Sequence, residues 1–228
     1  MYNYINGNDP NYYKNKSSYM NSNISYNQMN LPQNTYGNAT MINYGAPLYY
    51  NPTINYSISV PMNLAKSLEG KYFVGYVDAL TFGAGTFSWA RLYNPPDSGV
   101  NLHVAVWTVS DVAQSSYTAT IYFNSTPLGS PVNSEHVTTT NTSIIPLPQP
   151  KIKLQYAATT RGFPQGGTKA FIRRGQPNAT LVSDEEGKFI FPPGGNFLIS
   201  LSNPQTPTIP VSASVAFGWW EESFYAVY

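Results

Sequence analysis

From Lys71 onward, apolar and polar residues alternate with a period of two in one short segment after another, the pattern of antiparallel strands with one buried face. In 71–77, Phe73, Gly75 and Val77 alternate with Tyr72, Val74 and Tyr76, and in 86–92, Phe87 and Trp89 share a face with Arg91. In 100–109, Val100, Leu102, Val104 and Val106 form one face, and Asn101, His103, Ala105, Trp107 and Val109 the other. Segment 117–123 sets Tyr117, Ala119, Ile121 and Phe123 against Thr118, Thr120 and Tyr122. Ile152, Leu154 and Tyr156 alternate with Lys151, Lys153 and Gln155, and Phe197, Ile199 and Leu201 with Asn196, Leu198 and Ser200. In 211–219, Val211, Ala213, Val215, Phe217 and Trp219 form an inward row, with Ser212 and Ser214 facing out.

The breaks between these runs are equally readable. Asn94-Pro95-Pro96-Asp97-Ser98-Gly99 reads as a turn, because consecutive prolines cannot sit in a hydrogen-bonded ladder. Asp184-Glu185-Glu186-Gly187 predicts a tight hairpin between strands at 179–183 and 188–191, its acids on a solvated tip. Pro192-Pro193-Gly194-Gly195 predicts a further loop, and 124–150, with five prolines, a long excursion. A single short helix is predicted at 61–70, with Pro61 in its first turn, Gly70 as its stop, and Met62, Ala65 and Leu68 on one face. No crossover helices exist to join parallel strands. The fold class expected is therefore all-β: an antiparallel β-sandwich of jelly-roll type over 57–228.

Residues 1–56 have a different composition. They hold 11 tyrosines and 14 asparagines but only three charges, Asp9, Lys14 and Lys16. Their aliphatic residues are isolated and no period persists, so the segment cannot build a core of its own. Interleaved Tyr and Asn belong to the polar-aromatic class prone to β-association, and Tyr offers a large contact area with few torsions to freeze. The segment reads as an N-terminal arm with two open roles, a free tail or a docking element. Tyr2, Tyr4, Tyr12, Tyr13, Tyr19, Tyr26, Tyr36, Tyr44, Tyr49 and Tyr50 would be its contacts in the second role. Extended, it would reach roughly 180 Å at about 3.3 Å per residue.

Composition removes several functions. The 228 residues carry 12 Lys and Arg against 11 Asp and Glu, a net charge of +1, which offers no electrostatic footprint for nucleic acid or an anionic membrane. There is no Cys, hence no disulfide framework, thiolate metal site or Cys nucleophile. Two His residues, His103 and His136, leave almost nothing for a transition-metal site, and no cofactor is expected. No apolar run approaches membrane-spanning length. The N-terminus has neither a basic n-region nor an apolar h-region, so no signal peptide is expected. Seven Asn-X-Ser/Thr matches, at Asn15, Asn23, Asn38, Asn55, Asn124, Asn141 and Asn178, read as chance products of an Asn-, Ser- and Thr-rich chain.

The sequence lacks the nucleophile elbow, the His-Glu-x-x-His pair, the phosphate loop and the EF-hand loop. No catalytic residue is predicted, and the chain is read as non-enzymatic. The group Arg161, Lys169, Arg173 and Arg174, interleaved with Phe163 and Phe171, reads as a solvated edge or intersubunit contact rather than a nucleic-acid site. The most informative cluster is Trp219-Trp220-Glu221-Glu222. Adjacent residues on a strand face opposite sides, so one Trp would plug the core. The other would be a subunit contact or, beside a carboxylate, a sugar-stacking platform.

Two segments carry a resemblance. Ala90-Arg91-Leu92-Tyr93-Asn94-Pro95-Pro96-Asp97-Ser98-Gly99-Val100-Asn101-Leu102, and Gly194-Gly195-Asn196-Phe197-Leu198 leading to Val215-Ala216-Phe217-Gly218-Trp219-Trp220-Glu221-Glu222, together resemble an uncharacterised domain family of spore-forming Firmicutes. The turn followed by a strand is similar to small jelly-roll subunits of phage virions and spore-surface fibres. The layout of an arm before a jelly roll is similar to endospore appendage pilins, which implies an arm that joins the next subunit. Those pilins crosslink their arms through Cys pairs. This chain has none, so its joint would be noncovalent, through strand addition and Tyr packing.

The leading expectation is a structural subunit that assembles with copies of itself into an extracellular or spore-surface fibre, released by cell lysis, its 1–56 arm docking on neighbours. The alternatives are a carbohydrate-binding module or adhesin, with surface-layer proteins or glycans as partners, and a phage virion protein.

Overall fold

The computed structural model describes residues 59–111, 115–204 and 208–224. One helix, α1 (Met62–Leu68), precedes eleven strands. They are β1 (Tyr72–Phe82), β2 (Phe87–Tyr93), β3 (Val100–Asp111), β4 (Tyr117–Phe123), β5 (Val132–Asn133), β6 (Val137–Thr139), β7 (Lys153–Thr160), β8 (Thr168–Gly175), β9 (Thr180–Phe191), β10 (Asn196–Ser202) and β11 (Val211–Ser223). All pairings are antiparallel, in a first sheet ordered β6-β1-β11-β3-β9 and a second ordered β5-β7-β2-β10-β4-β8. Without β5, β6 and β7, eight strands remain, and their chain order gives one sheet 1-8-3-6 and the other 2-7-4-5, the double Greek key of a jelly roll. The excursion at 124–150 thus carries two short strands, and with β7 it widens both sheets on the same side, β6 joining β1 and β7 joining β2.

The core lies between the sheets, where each strand delivers its buried row. Val211, Ala213, Val215, Phe217 and Trp219 are buried as the alternation of β11 predicts, as are Tyr117, Ala119 and Ile121 of β4. Phe197, Ile199 and Leu201 of β10 join the same core, while Leu198 points the other way into a separate cluster with Trp89, Tyr122 and Ala157. The 124–131 loop folds over that outer cluster, the Trp89 indole N–H donating to the Leu128 carbonyl at 2.7 Å. Burying each large side chain contributes roughly 1.5–3 kcal/mol. The proline turn is organised by Asn94, whose buried amide donates to the carbonyls of Val100 and Phe191.

Three features depart from simple alternation. In β3 the phase changes at Ala105. Val104 pairs with Trp219 and Val106 with Gly218, leaving Ala105 as an extra residue. Upstream, Val100, Leu102 and Val104 face the core. Downstream, Trp107 and Val109 do so and Val106 faces out, correcting the single face expected for 100–106. A second shift, between Val77 and Leu80 of β1, moves the buried row from Phe73 and Val77 to Leu80 and Phe82. The third correction concerns 184–187. The expected hairpin is absent, and β9 runs from 180 to 191 alongside β3, with residues 185–188 bulging between the Asp184–Val106 and Phe189–Val104 pairs. Glu186 and Gly187 take positive φ there, as bulged backbone requires. Glu185 does not sit on a solvated tip. It is buried, where its carboxylate accepts from the Trp107 indole N–H at 3.1 Å and the Ser183 hydroxyl at 2.7 Å and pairs with Lys188 at 3.1 Å.

The helix forms where expected, but none of its residues is buried. Met62 and Leu68, which share the apolar face, are exposed. β8, whose alternation is obscured by its basic residues, is one of the second sheet's two edge strands. Its exposed Lys169, Arg173 and Arg174 are the charges that discourage edge-to-edge pairing.

Gly187 shows how tightly the bulge is fitted. Its φ is +75°, and an added Cβ would lie 1.7 Å from the Trp220 ring, whereas at Gly85, φ +80°, a Cβ meets nothing within 4 Å. Gly85→Ala should therefore lose only the backbone preference, about 1 kcal/mol. Gly187→Ala should lose roughly 1–3 kcal/mol more through overpacking. Urea denaturation midpoints of the two variants check this, and equal losses would show that the ring yields freely.

Candidate functional site

The ten arm tyrosines, Tyr2 through Tyr50, lie outside the described residues. The Trp219–Glu222 cluster lies within them and alternates across the first sheet as expected. Trp219 is fully buried between the sheets beside Phe73, ring centroids 6.0 Å apart. Trp220 takes the outer face but is only 4% exposed. His103 stacks on it at 5.2 Å and 11°, Tyr72 at 6.4 Å and 28°, and Gly187 fits against its ring. The sugar platform expected at Trp220 is thereby corrected. Its faces are used by neighbouring strands, and no open ring is presented.

Glu221 is an inter-sheet clip. Its buried carboxylate, on β11, accepts from the backbone N–H of Lys151 at 3.0 and 3.1 Å and of Ile152 at 3.0 Å, and from the Trp219 indole N–H at 3.3 Å. It thus anchors the chain entering β7 of the second sheet to the first. Desolvation raises its pKa above the ordinary 4.5, although the hydrogen bonds oppose that shift. Glu222, on the outer face, forms an ion pair with Lys66, which also pairs with Glu69 at 3.2 Å, so α1 is held to β11. The Glu222 contact raises the Lys66 pKa. His103 bonds through Nδ1 to the Gly187 carbonyl at 3.2 Å, and burial lowers its pKa. These groups pack and clip, and none faces an open cleft with a second acid.

The open feature lies on the same outer face, next to the Trp220 stack. There β1, β11 and β3 align Tyr76, Ala216 and Thr108 in one row and Val74, Gly218 and Val106 in the next. Small residues thus form a floor beside larger walls. Residues 135–138 rise along one side, and the whole is an apolar groove of about 510 Å³. Ligand-sized pockets span about 300–1,000 Å³. Gly218 sets the depth of its floor, and Gly75, on the inner row of β1, sets how closely its wall approaches. At Gly218 a Cβ would meet Val106 at 2.8 Å and the Tyr72 hydroxyl at 2.6 Å. At Gly75 a Cβ would meet the His136 carbonyl at 2.9 Å, so only glycine lets the wall approach. The wall is fixed by the Tyr76 N–H donating to the His136 carbonyl at 3.1 Å, the Ser134 hydroxyl donating to the Tyr76 carbonyl at 2.7 Å, and the His136 ring stacked on Tyr76 at 4.5 Å. Across Glu135 and His136 a second, more polar cleft of about 350 Å³ is lined by Asp78, Asn133, Ser134 and Tyr156.

Sequence reading missed this groove because its wall sits inside what reads as an excursion. The available signal was Val137 followed by Thr138 and Thr139, a β-branched run. Among the described residues no three His, Cys, Asp or Glu side chains are grouped to hold a metal ion, and no helix is long and apolar enough to cross a membrane. Of the basic group, Arg173 lies over the Phe171 ring at 4.7 Å, and both interleaved phenylalanines also pack on other strands. Phe163 packs on Phe87 at 4.3 Å and Phe171 on Phe189 at 5.9 Å.

The chain belongs to a family of unknown function, DUF6143, whose model matches residues 51–225. No curated protein and no solved structure matches it.

The Glu221 clip yields two expectations. Glu221→Ala leaves the Lys151 and Ile152 N–H groups without their acceptor and should destabilise the fold by at least about 2 kcal/mol. Glu221→Gln keeps a carbonyl acceptor and should lose less. Because the folded pKa is raised, the folded chain holds this proton more tightly than the unfolded one. The corresponding stability is present in full below the unfolded value and is lost as pH rises through the folded value. Denaturation midpoints measured from pH 4.5 upward should decline less in Glu221→Gln than in wild type. Parallel profiles would mean that Glu221 is not the titrating group.

Proposed function

We propose that this chain is a non-enzymatic structural subunit that assembles with copies of itself, the jelly roll forming the body and residues 1–56 docking on neighbouring subunits. The observation that supports this reading most is a division of labour among side chains. The buried acids Glu185 and Glu221 are occupied in holding strands together, whereas large apolar side chains among the described residues are exposed. The outer-face groove is one such area. A second is α1 with the adjoining loop, joined by the Ser67–Thr140 hydroxyl pair at 2.8 Å, where Met62, Leu64 and Leu68 are exposed and Ile145 is 89% exposed. Concentrated apolar exposure marks association surfaces. With only three charges and 11 Tyr, residues 1–56 suit contacts with such areas. With no Cys in the chain, the joint is noncovalent. The setting we propose is a fibre at a cell or spore surface, in line with the resemblance to spore-surface subunits.

Sedimentation velocity of the full chain and of a chain lacking residues 1–56 tests the proposal. Among the described residues the core clusters draw on residues 72–220, so the truncated chain should stay folded, with an unchanged melting transition, and should sediment as a monomer. The full chain should form concentration-dependent larger species. Polymers of equal size from both chains would remove the arm from the joint.

A further inference from the structure

The groove has a shape and chemistry that narrow its occupant. Its floor of Ala216 and Gly218, flanked by Val106 and Thr108, carries only small side chains, and Val74, Tyr76 and Val137 stand around it. A strip of Ala and Gly between larger apolar side chains leaves a slot whose walls can pack on the faces of an aromatic ring. Polar side chains are few among its lining, chiefly the hydroxyls of Thr108 and Thr138 and the carboxylate of Glu135. A phenol O–H entering ring-first would find acceptors there, as a buried Tyr requires. One carboxylate gives no reason to draw a charged ligand.

The chain itself contains the matching ligand. Residues 1–56 hold 11 Tyr among 14 Asn and carry three charges, and the described chain begins just beyond them, at Ser59. Tyr side chains would fill the apolar groove, while Asn amides between them could bond in the neighbouring polar cleft, which shares Glu135 and His136 with the groove.

We infer that the outer-face groove of the first sheet, walled by residues 135–138, is the receptor for a Tyr-bearing stretch of residues 1–56 from a second copy of this chain. The inference rests on the assembly reading above and names its joint. Because donor and acceptor are different surfaces, the contact is heterologous, so each subunit gives an arm and receives one.

The test separates the two halves of the joint. Ala216→Arg and, independently, Thr108→Arg place a long charged side chain in the groove. Both positions face outward and are only partly buried, so a melting transition close to wild type checks the fold. Each full-length variant should self-associate at least tenfold more weakly than wild type in sedimentation equilibrium. Each still owns a free arm. Mixed with the chain lacking residues 1–56, which owns a free groove, it should form a 1:1 complex and stop there. If both variants assemble like wild type, the groove is not the receptor, although assembly through another surface would stand. If the mixture gives no complex, or if the wild-type chain is monomeric because its arm lies in its own groove, the proposal is overturned. A groove that takes up a small aromatic compound but never the arm would overturn it equally.

Discussion

One extra residue in the third strand, Ala105, governs the first sheet. Strand pairing with β11 skips it, and the strand therefore turns over. Without that phase change, the row that buries Val100, Leu102 and Val104 would point Trp107 to the outer face. With it, Trp107 enters the core, and its indole N–H must find an acceptor inside the protein. Glu185 supplies one, and it can do so because β9 answers Ala105 with a four-residue bulge. The same bulge brings Gly187 against the Trp220 ring, while Ala105 itself packs beneath Trp220 and Tyr72. A buried Trp, a buried acid, a left-handed glycine and an outer aromatic stack thus depend on one another, and none would be stable in the setting of an unbroken strand.

This constraint also divides the outer face of the sheet. On one side of Gly218 the aromatic row of Tyr72, Trp220 and His103 closes the surface. On the other, Ala216 and Gly218 leave the floor bare and the groove open. A strand bearing two adjacent Trp residues therefore spends one in the core and the other in a self-contained stack. On this face, among the described residues, the area left open is the one with small side chains. Glu221 and Glu222 complete the arrangement by tying β7 and α1 to the same strand. What supports the proposed role in assembly is this contrast between buried acids, Glu185 and Glu221, that are engaged in hydrogen bonds and apolar side chains of the described residues that are exposed.

Much of the fold was legible because the strands follow their period. β4, β10 and β11 bury the rows that their alternation marks, and Pro61 and Gly70 bracket the helix. Alternation fails where the partner strand decides. Nothing in Val104-Ala105-Val106-Trp107 announces a bulge, since both phases present apolar residues to the core. Asp184-Glu185-Glu186-Gly187 carries the composition of a hairpin, yet β3 pairs with both of its flanks, and the burial of Glu185 follows from Trp107, distant in sequence. Of the Trp219–Glu222 cluster, the inward Trp was readable and the enclosure of Trp220 was not, because its covers come from β1, β3 and β9. The groove escaped for a similar reason. Glycines at 75 and 218 read as weak points within strands, and only the close approach of neighbouring atoms reveals that they make room.

Electron microscopy of the purified full-length chain, negatively stained across a concentration series, tests the central claim most directly. Regular polymers built of repeating globular bodies are expected, growing in number with concentration and persisting in reducing buffer, since the chain has no Cys to form a disulfide. Isolated particles of single-subunit size at every concentration would contradict it.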